Sequence, residues 1–399
     1  MSKQLISNII LLALWVPFFA NNITSFFNVT PITNKIILLE WIISLYCVAK
    51  LLLRHRNPPV IKNLLLFAGL LTIYAVLHML LGEDLRNVDR VVPKEEYLIC
   101  IVGSLYPVFL IYYLATLGYI TENHIRRWSL LFLIAVFISY PNSVAQIKTA
   151  TEAEQFTNNI GYTFLQGVPL LLFWYKRPVL QYVMFIILGV FIMNALKRGP
   201  IMIWLILFVI LLFQSFKHYS KMSSQQKIVL FLLPIFATFF GFYYFNNYLL
   251  DNQGFMNRLN STLSGDDSGR GKIYSDIFNV FLSNSNAFQL FLGHGAESTI
   301  KYFRIHAHND WLELLINQGI IGALFYFSLF KSILKQIFNS ADVLGRNLLI
   351  NVGIMVFITS IFSMSYMAFN TCIHLVLGYA IYRTGQLGKE QNIIIGNNV

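Results

Sequence analysis

The chain has 399 residues, 56% of them hydrophobic and only 12% charged, against roughly 25% charged in a soluble domain. That composition excludes a water-soluble globular enzyme and points to an integral membrane protein. The formal net charge of +11 does not argue for nucleic acid, because the excess lies in short segments between apolar runs, which is the signal of membrane topology.

A spanning helix needs about 20 mostly apolar residues. In chain order the qualifying runs lie near 5–21, 36–53, 64–81, 98–117, 129–147, 160–175, 179–196, 201–216, 228–248 and 311–330. The first follows Met1-Ser-Lys-Gln, and no small-residue cleavage site comes after it, so it reads as a retained span. The last uncharged stretch, 347–382, is too long for one crossing at about 1.5 Å per residue, and it is expected to break near Ser363–Tyr366. The fold class is therefore an all-α polytopic bundle of about twelve spans. Residues 1–248 would hold the first nine helices, 249–308 one large outer loop carrying short helices, and 309–399 the last three helices and a tail.

Loop charges set the orientation. With the N-terminus in the cytoplasm every inside loop is basic, and Glu122, Asp342 and Glu390 are its few acids. Both termini then lie in the cytoplasm, and the 249–308 loop lies on the outer face. Cys47, Cys100 and Cys372 sit in apolar runs, where they act as small hydrophobes, and no disulfide is expected. Within the large loop, Ile273, Ile277, Val280 and Phe281 form one stripe at helical spacing. That helix is expected to lie along the membrane surface. The other notable outer loop, Gly82–Glu96, is expected to pack over the first.

The chemistry is expected in residues 291–322, around His306-Ala-His308-Asn309-Asp310. A histidine near pKa 6.5 can take a proton at working pH; the plainer reading is an interfacial histidine that only hydrogen-bonds. A zinc set of His306, His308 and Asp310 lacks further ligands at a recognised spacing, so no metal is expected. Gly319 and Gly322, three apart, would let a neighbouring helix approach closely. Lys197-Arg198-Gly199-Pro200 forms a tight turn with proline at a helix start. Arg198 would either project at the mouth of the bundle or snorkel to headgroups. Arg258, Arg270 and Arg304 lie in the outer loop. A guanidinium grips phosphate oxygens in a bidentate way that lysine cannot match, so the set suggests an anionic, phosphate-bearing substrate; solvated charges are the plainer alternative.

His308-Asn309, nine residues, then Gly319-x-x-Gly322, preceded by Leu292-Gly-His-Gly295, resembles the bacterial O-antigen ligase/O-antigen polymerase family. So does Lys-Arg-Gly at 197–199 before a span, and so does a single large outer loop between late spans. The resemblance implies a cytoplasmic-membrane glycosyltransferase whose donor is a glycan on undecaprenyl diphosphate. The acceptor would be lipid A–core or another glycan, and a polysaccharide chain-length regulator is a candidate partner. It implies His308 as general base and Arg198 and Arg270 as diphosphate ligands, with Arg258 or Arg304 able to replace Arg270. Lys197, His306, Asn309, Asp310, Gly319 and Gly322 would support them, with no cofactor. Met202 stands where the ligases tend to carry leucine, so ligase and polymerase stay equally open. A lipid-linked-glycan transporter would instead bury ionisable groups mid-span and show repeated halves.

Overall fold

The computed structural model describes residues 3–22, 31–54, 57–88, 90–149, 160–195, 197–216, 270–283 and 285–396, with isolated positions between 223 and 260. Among these the fold is all-α, apart from one two-residue antiparallel bridge. The elements are α1 (Lys3–Asn22), α2 (Pro31–Leu52), α3 (Pro59–Leu81), β1 (Leu85–Arg86), β2 (Val91–Val92), α4 (Glu96–Thr116) and α5 (Glu122–Thr149). There follow α6 (Ile160–Gly167, running on as a 3-10 turn over Val168–Trp174), α7 (Pro178–Asn194) and α8 (Arg198–Phe216). The last are α9 (Arg270–Ser283), α10 (Ala287–Leu292), α11 (Ser298–Phe303), α12 (Asp310–Asn339), α13 (Val343–Phe362) and α14 (Thr371–Gly396).

Five of these, α3, α4, α8, α12 and α13, are long and apolar enough to cross a bilayer, while stretches of α1, of α6 with its 3-10 turn, and α7 are apolar but shorter. The described residues thus support an integral membrane protein with five such helices; they do not confirm the expected count of about twelve. The run at 228–248 lies mostly outside the described residues, as does Arg258. The long apolar stretch does break as expected, between Phe362 and Thr371.

The chain divides into two compact units. One comprises residues 1–18, 29–121 and 270–399, the other 19–28 and 122–269. In the first, α12 packs on α3 and α13, and α4 packs on α2, α3 and α14. Phe67 of α3 stacks on Tyr326 with ring centres 5.0 Å apart and meets Tyr366 edge-on at 5.6 Å. Several polar groups buried in this bundle bond across it, as a low-dielectric interior favours. Asn63 Nδ2 donates to Ser328 O (3.0 Å), Thr371 Oγ1 to Leu14 O (2.8 Å), and His374 Nε2 lies 2.9 Å from Ser104 O. Asp342 caps α13 and takes a bidentate Arg383 from α14 at 2.7 and 2.8 Å. In the second unit, Trp204 of α8 donates to Phe185 O at 3.2 Å and Trp174 to Ser129 Oγ at 3.1 Å.

The feature that positions the site is a break in α12. Gly319 has φ 67° and ψ −163°, a conformation essentially confined to glycine. The break leaves Ile316 O and Asn317 O to other donors, and the turn after α10 fills it. His294 N donates to Ile316 O (2.8 Å) and Gly295 N to Asn317 O (3.0 Å). Gly293 and Gly319 meet back to back: a Cβ on Gly293 would lie 2.4 Å from Asn317 backbone atoms, and one on Gly319 would lie 2.5 Å from Gly293 N. The two glycine motifs of the sequence are therefore two halves of one joint. The close approach that the glycine pair suggested is made at Gly319, by the last turn of α10 and the turn after it, with Phe291 O 2.5 Å from a Cβ placed there; the atoms nearest Gly322 belong to Gln318 and Leu314 of its own helix.

The α9 stripe brings a correction. Ile277 and Phe281 are buried, and Ile273 and Val280 pack against Ala307 and Ile316. The stripe faces protein, because the polar loop beneath it supplies an apolar patch of its own. The Gly82–Glu96 loop does pack on the 270–309 segment, with Val88 N donating to Arg304 O at 3.1 Å.

Gly293→Ala or Gly319→Ala should destabilise the protein by on the order of 3 kcal/mol or more, since each combines a positive φ with a backbone clash. Gly69→Ala in α3, where nothing lies within 4 Å, should leave the melting temperature in detergent unchanged or slightly raised. Equal melting temperatures for all three variants would contradict this account of the joint.

Candidate functional site

Asn309 is the N-cap of α12. Its Oδ1 accepts from Trp311 N (2.9 Å) and Leu312 N (3.1 Å), as capping requires. Its Nδ2 donates to Ile361 O at 2.9 Å. The next carbonyl of α13, Phe362 O, accepts from Arg270 Nη1 at 2.9 Å. Arg270 and Asn309 are thus fastened to adjacent carbonyls at the C-terminal end of α13, where the helix dipole favours a cation. His308 immediately precedes Asn309, so an imidazole and a guanidinium stand at one helix end.

His308 is exposed and has φ 52°. Left-handed backbone costs a non-glycine residue on the order of 1 kcal/mol or more. Glu297, Arg304 and His308 are the positive-φ non-glycine residues among those described, and all lie in this one loop. Its neighbours hold it there. Asn309 is locked as a cap, and Ala307 N donates to Glu313 Oε1 at 2.6 Å.

Glu313 is the hub of the loop. It is 1% exposed. Besides Ala307 N it accepts from Thr299 Oγ1 (2.7 Å) and Asn317 Nδ2 (3.3 Å). His306 Nδ1 faces Glu313 Oε1 at 3.4 Å and Glu297 Oε2 at 4.0 Å, as ion-pair contacts rather than an aligned hydrogen bond. Burial would lower the His306 pKa, but the Glu313 contact and the charges of Glu313 and Glu297 outweigh it and hold the imidazole above its ordinary value. Burial pushes the Glu297 carboxyl up to about 7 although His306 pulls the other way.

The remaining predicted residues divide among separate roles. Asp310 is wholly buried. It accepts from Ser365 N at 2.9 Å, from Ser365 Oγ, and from Tyr326 Oη at 2.8 Å, tying the α13–α14 connection to the start of α12. Arg304 is the left-handed C-cap of α11. His294 is held by Ser285 Oγ at 2.7 Å and Tyr302 Oη at 3.1 Å. Arg198 opens α8 in the other unit, and Lys197 Nζ lies 5.3 Å over the Tyr162 ring. A Cβ on Gly199 would come 2.4 Å from Tyr162 Oη, so glycine lets that ring close on the turn. Among the described residues, no group of three or more His, Cys, Asp or Glu is arranged to hold a metal ion. His306 and Asp310 engage different partners.

Sequence reading missed Glu313, Glu297, Thr299 and Asn317. One signal was available. Asp310, Glu313, Asn317 and Gln318 follow helical core spacing, and the structure buries all four. A polar stripe at those positions in an otherwise apolar helix marks a paired interior.

These features define the class: an integral membrane helix bundle that presents histidine and arginine from a strained, polar-cored loop. Within it, residues 183–327 match the family model described as O-antigen ligase. The match, over less than half of the chain, supports the O-antigen ligase/polymerase family. It takes in Arg198, Arg270, Arg304, His306, His308, Gly319 and Gly322. A comparison with curated proteins finds no match.

The cluster gives a pH dependence with a definite sign. His306 and Glu297 both have folded-state pKa values above their ordinary ones. The stability each contributes is complete below its unfolded pKa and is lost as pH rises through the folded one. The melting temperature in detergent should therefore fall as pH rises from about 5 to about 8. Glu297→Gln should flatten that slope; an unchanged slope would remove Glu297 as a contributor.

Proposed function

We propose that the protein transfers a glycan from undecaprenyl diphosphate to a hydroxyl acceptor, either lipid A–core or a second glycan. The reaction would take place at the outer face of the cytoplasmic membrane, with both termini inside. The observation that carries this reading is the attachment of Arg270 to Phe362 O and of Asn309, the residue after His308, to Ile361 O, at one end of α13.

In this reading the acceptor oxygen attacks the anomeric carbon. His308 takes the hydroxyl proton as general base. The bond from that carbon to the phosphate oxygen breaks, and undecaprenyl diphosphate leaves with the electron pair. Attack opposite the leaving group inverts the anomeric centre. Arg270 stabilises the charge growing on the diphosphate, a role that the resemblance gives to Arg198 as well, so the step asks for no metal. Exposure of His308 suits a base that must reach a large acceptor, and its strained backbone, fixed through Glu313 and Asn309, suits a group that must not reorient. Arg258 and Arg304 remain alternatives to Arg270 as second ligand; Arg270 is preferred because its guanidinium bonds Phe362 O at the end of α13. Residues 249–308 act as the outer catalytic loop.

His308→Ala should abolish transfer from a lipid-diphosphate donor in vesicles, while the variant retains wild-type melting behaviour. Arg270→Lys should lower the rate by roughly 10²-fold or more if the grip is bidentate, and so should Arg198→Lys. Product formation by His308→Ala would remove His308 as the base. Wild-type rates in both lysine variants would reduce the arginines to point charges.

A further inference from the structure

We infer that α10 dips into the lipid bilayer, inserting Phe288 and Phe291 among the acyl chains beside α3 and α12. Three observations fix its depth and facing. First, its C-terminal turn is fastened to two spans below their ends. Tyr74 Oη donates to Leu292 O, and Tyr74 lies seven residues inside the Leu81 end of α3, roughly 10 Å along the axis. Gly293 abuts Gly319, nine residues from the Asp310 end of α12, or roughly 13 Å. Both attachments thus lie on helices long and apolar enough to cross a bilayer, past their first turns.

Second, the side chains suit lipid. α10 reads Ala-Phe-Gln-Leu-Phe-Leu, carries no charge and buries none of its residues in the protein. Phe288 is 70% exposed and Phe291 56%. The lower part of α12 exposes Leu324 and Phe327, and α3 exposes Ile73 and Leu77, so the apolar surface continues from the spans. By contrast, α11 exposes Lys301, and Arg304 follows it.

Third, the backbone is prepared for a place without water. A polar backbone group at that depth must be satisfied within the protein. Asn286 Oδ1 accepts from Gln289 N (2.9 Å) while Asn286 N donates to Gln289 Oε1 (3.0 Å), a reciprocal cap. Gly293 N closes the other end on Gln289 O at 2.7 Å. Leu292 O has the Tyr74 hydroxyl, and the turn beyond is bonded into the α12 break.

The test needs no glycan substrate, so its outcome is separate from that of the transferase reading. Phe288→Cys, Phe291→Cys and Lys301→Cys are each spin-labelled in vesicles of phosphatidylethanolamine and phosphatidylglycerol. Wild-type protein, whose Cys47 and Cys372 are buried and whose Cys100 is half-buried, serves as the labelling blank, and Cys100→Ser is the background for the labelled variants should Cys100 react. Collision of the label with oxygen, which concentrates in lipid, is compared with collision with a water-soluble nickel chelate. Labels at 288 and 291 should favour oxygen and the label at 301 the chelate. Chelate access at 288 and 291 equal to that at 301 would overturn the inference, as would protection from both reagents, which would mean that protein, such as a second copy, covers the patch. Phe288→Trp, read by quenching with brominated lipids against the wild-type signal, repeats the measurement should a labelled variant fail to fold.

Discussion

A helix that stops bonding to itself for one residue organises this molecule. Because Gly319 leaves helical geometry, two carbonyls of α12 are released inside a low-dielectric bundle, where an unpaired polar group costs several kcal/mol. The backbone of His294 and Gly295 answers them. That joint fixes where α10 ends, and α11 and the loop to Asn309 follow from it. Side chains alone could not do this, since the contact is backbone to backbone and leaves no room for a Cβ on either glycine.

Above the joint, the first turns of α12 serve as a polar anchor for everything around them. Asp310 secures Ser365 in the α13–α14 connection, Glu313 secures Ala307 and Thr299, and Asn317 receives Ser298 N at 2.9 Å. Buried carboxylates are costly unless fully paired, and once paired they specify one arrangement over others. Here they hold a loop with three left-handed non-glycine residues in place. His308 is the exposed end of that arrangement.

The same economy of backbone explains how a polar loop can sit against lipid. Its charged groups gather on α11 and at the end of α13, while α10 is capped at both ends and turns phenylalanine outward. In the proposed reaction both donor and acceptor arrive on lipids, so a loop that touches the bilayer holds its base at a constant height above it.

The sequence by itself determined the class. Apolar run lengths and scarce charge demand membrane helices, and most expected runs fall on helices that the structure describes. It also located the polar stretch, the break after Phe362 and the glycines near His308, because these are local signals. What it could not decide was what each feature touches. The spacing of Gly319 and Gly322 announces a close partner, yet not that the end of the short helix α10 and its following turn would meet Gly319. The α9 stripe is equally apolar whether it meets lipid or Ala307. Glu313 reads as one more acid until Thr299, Ala307 and Asn317 are seen around it. Periodicity fixes which face of a helix is apolar, but only tertiary packing chooses the partner that covers it, because that choice depends on residues distant along the chain.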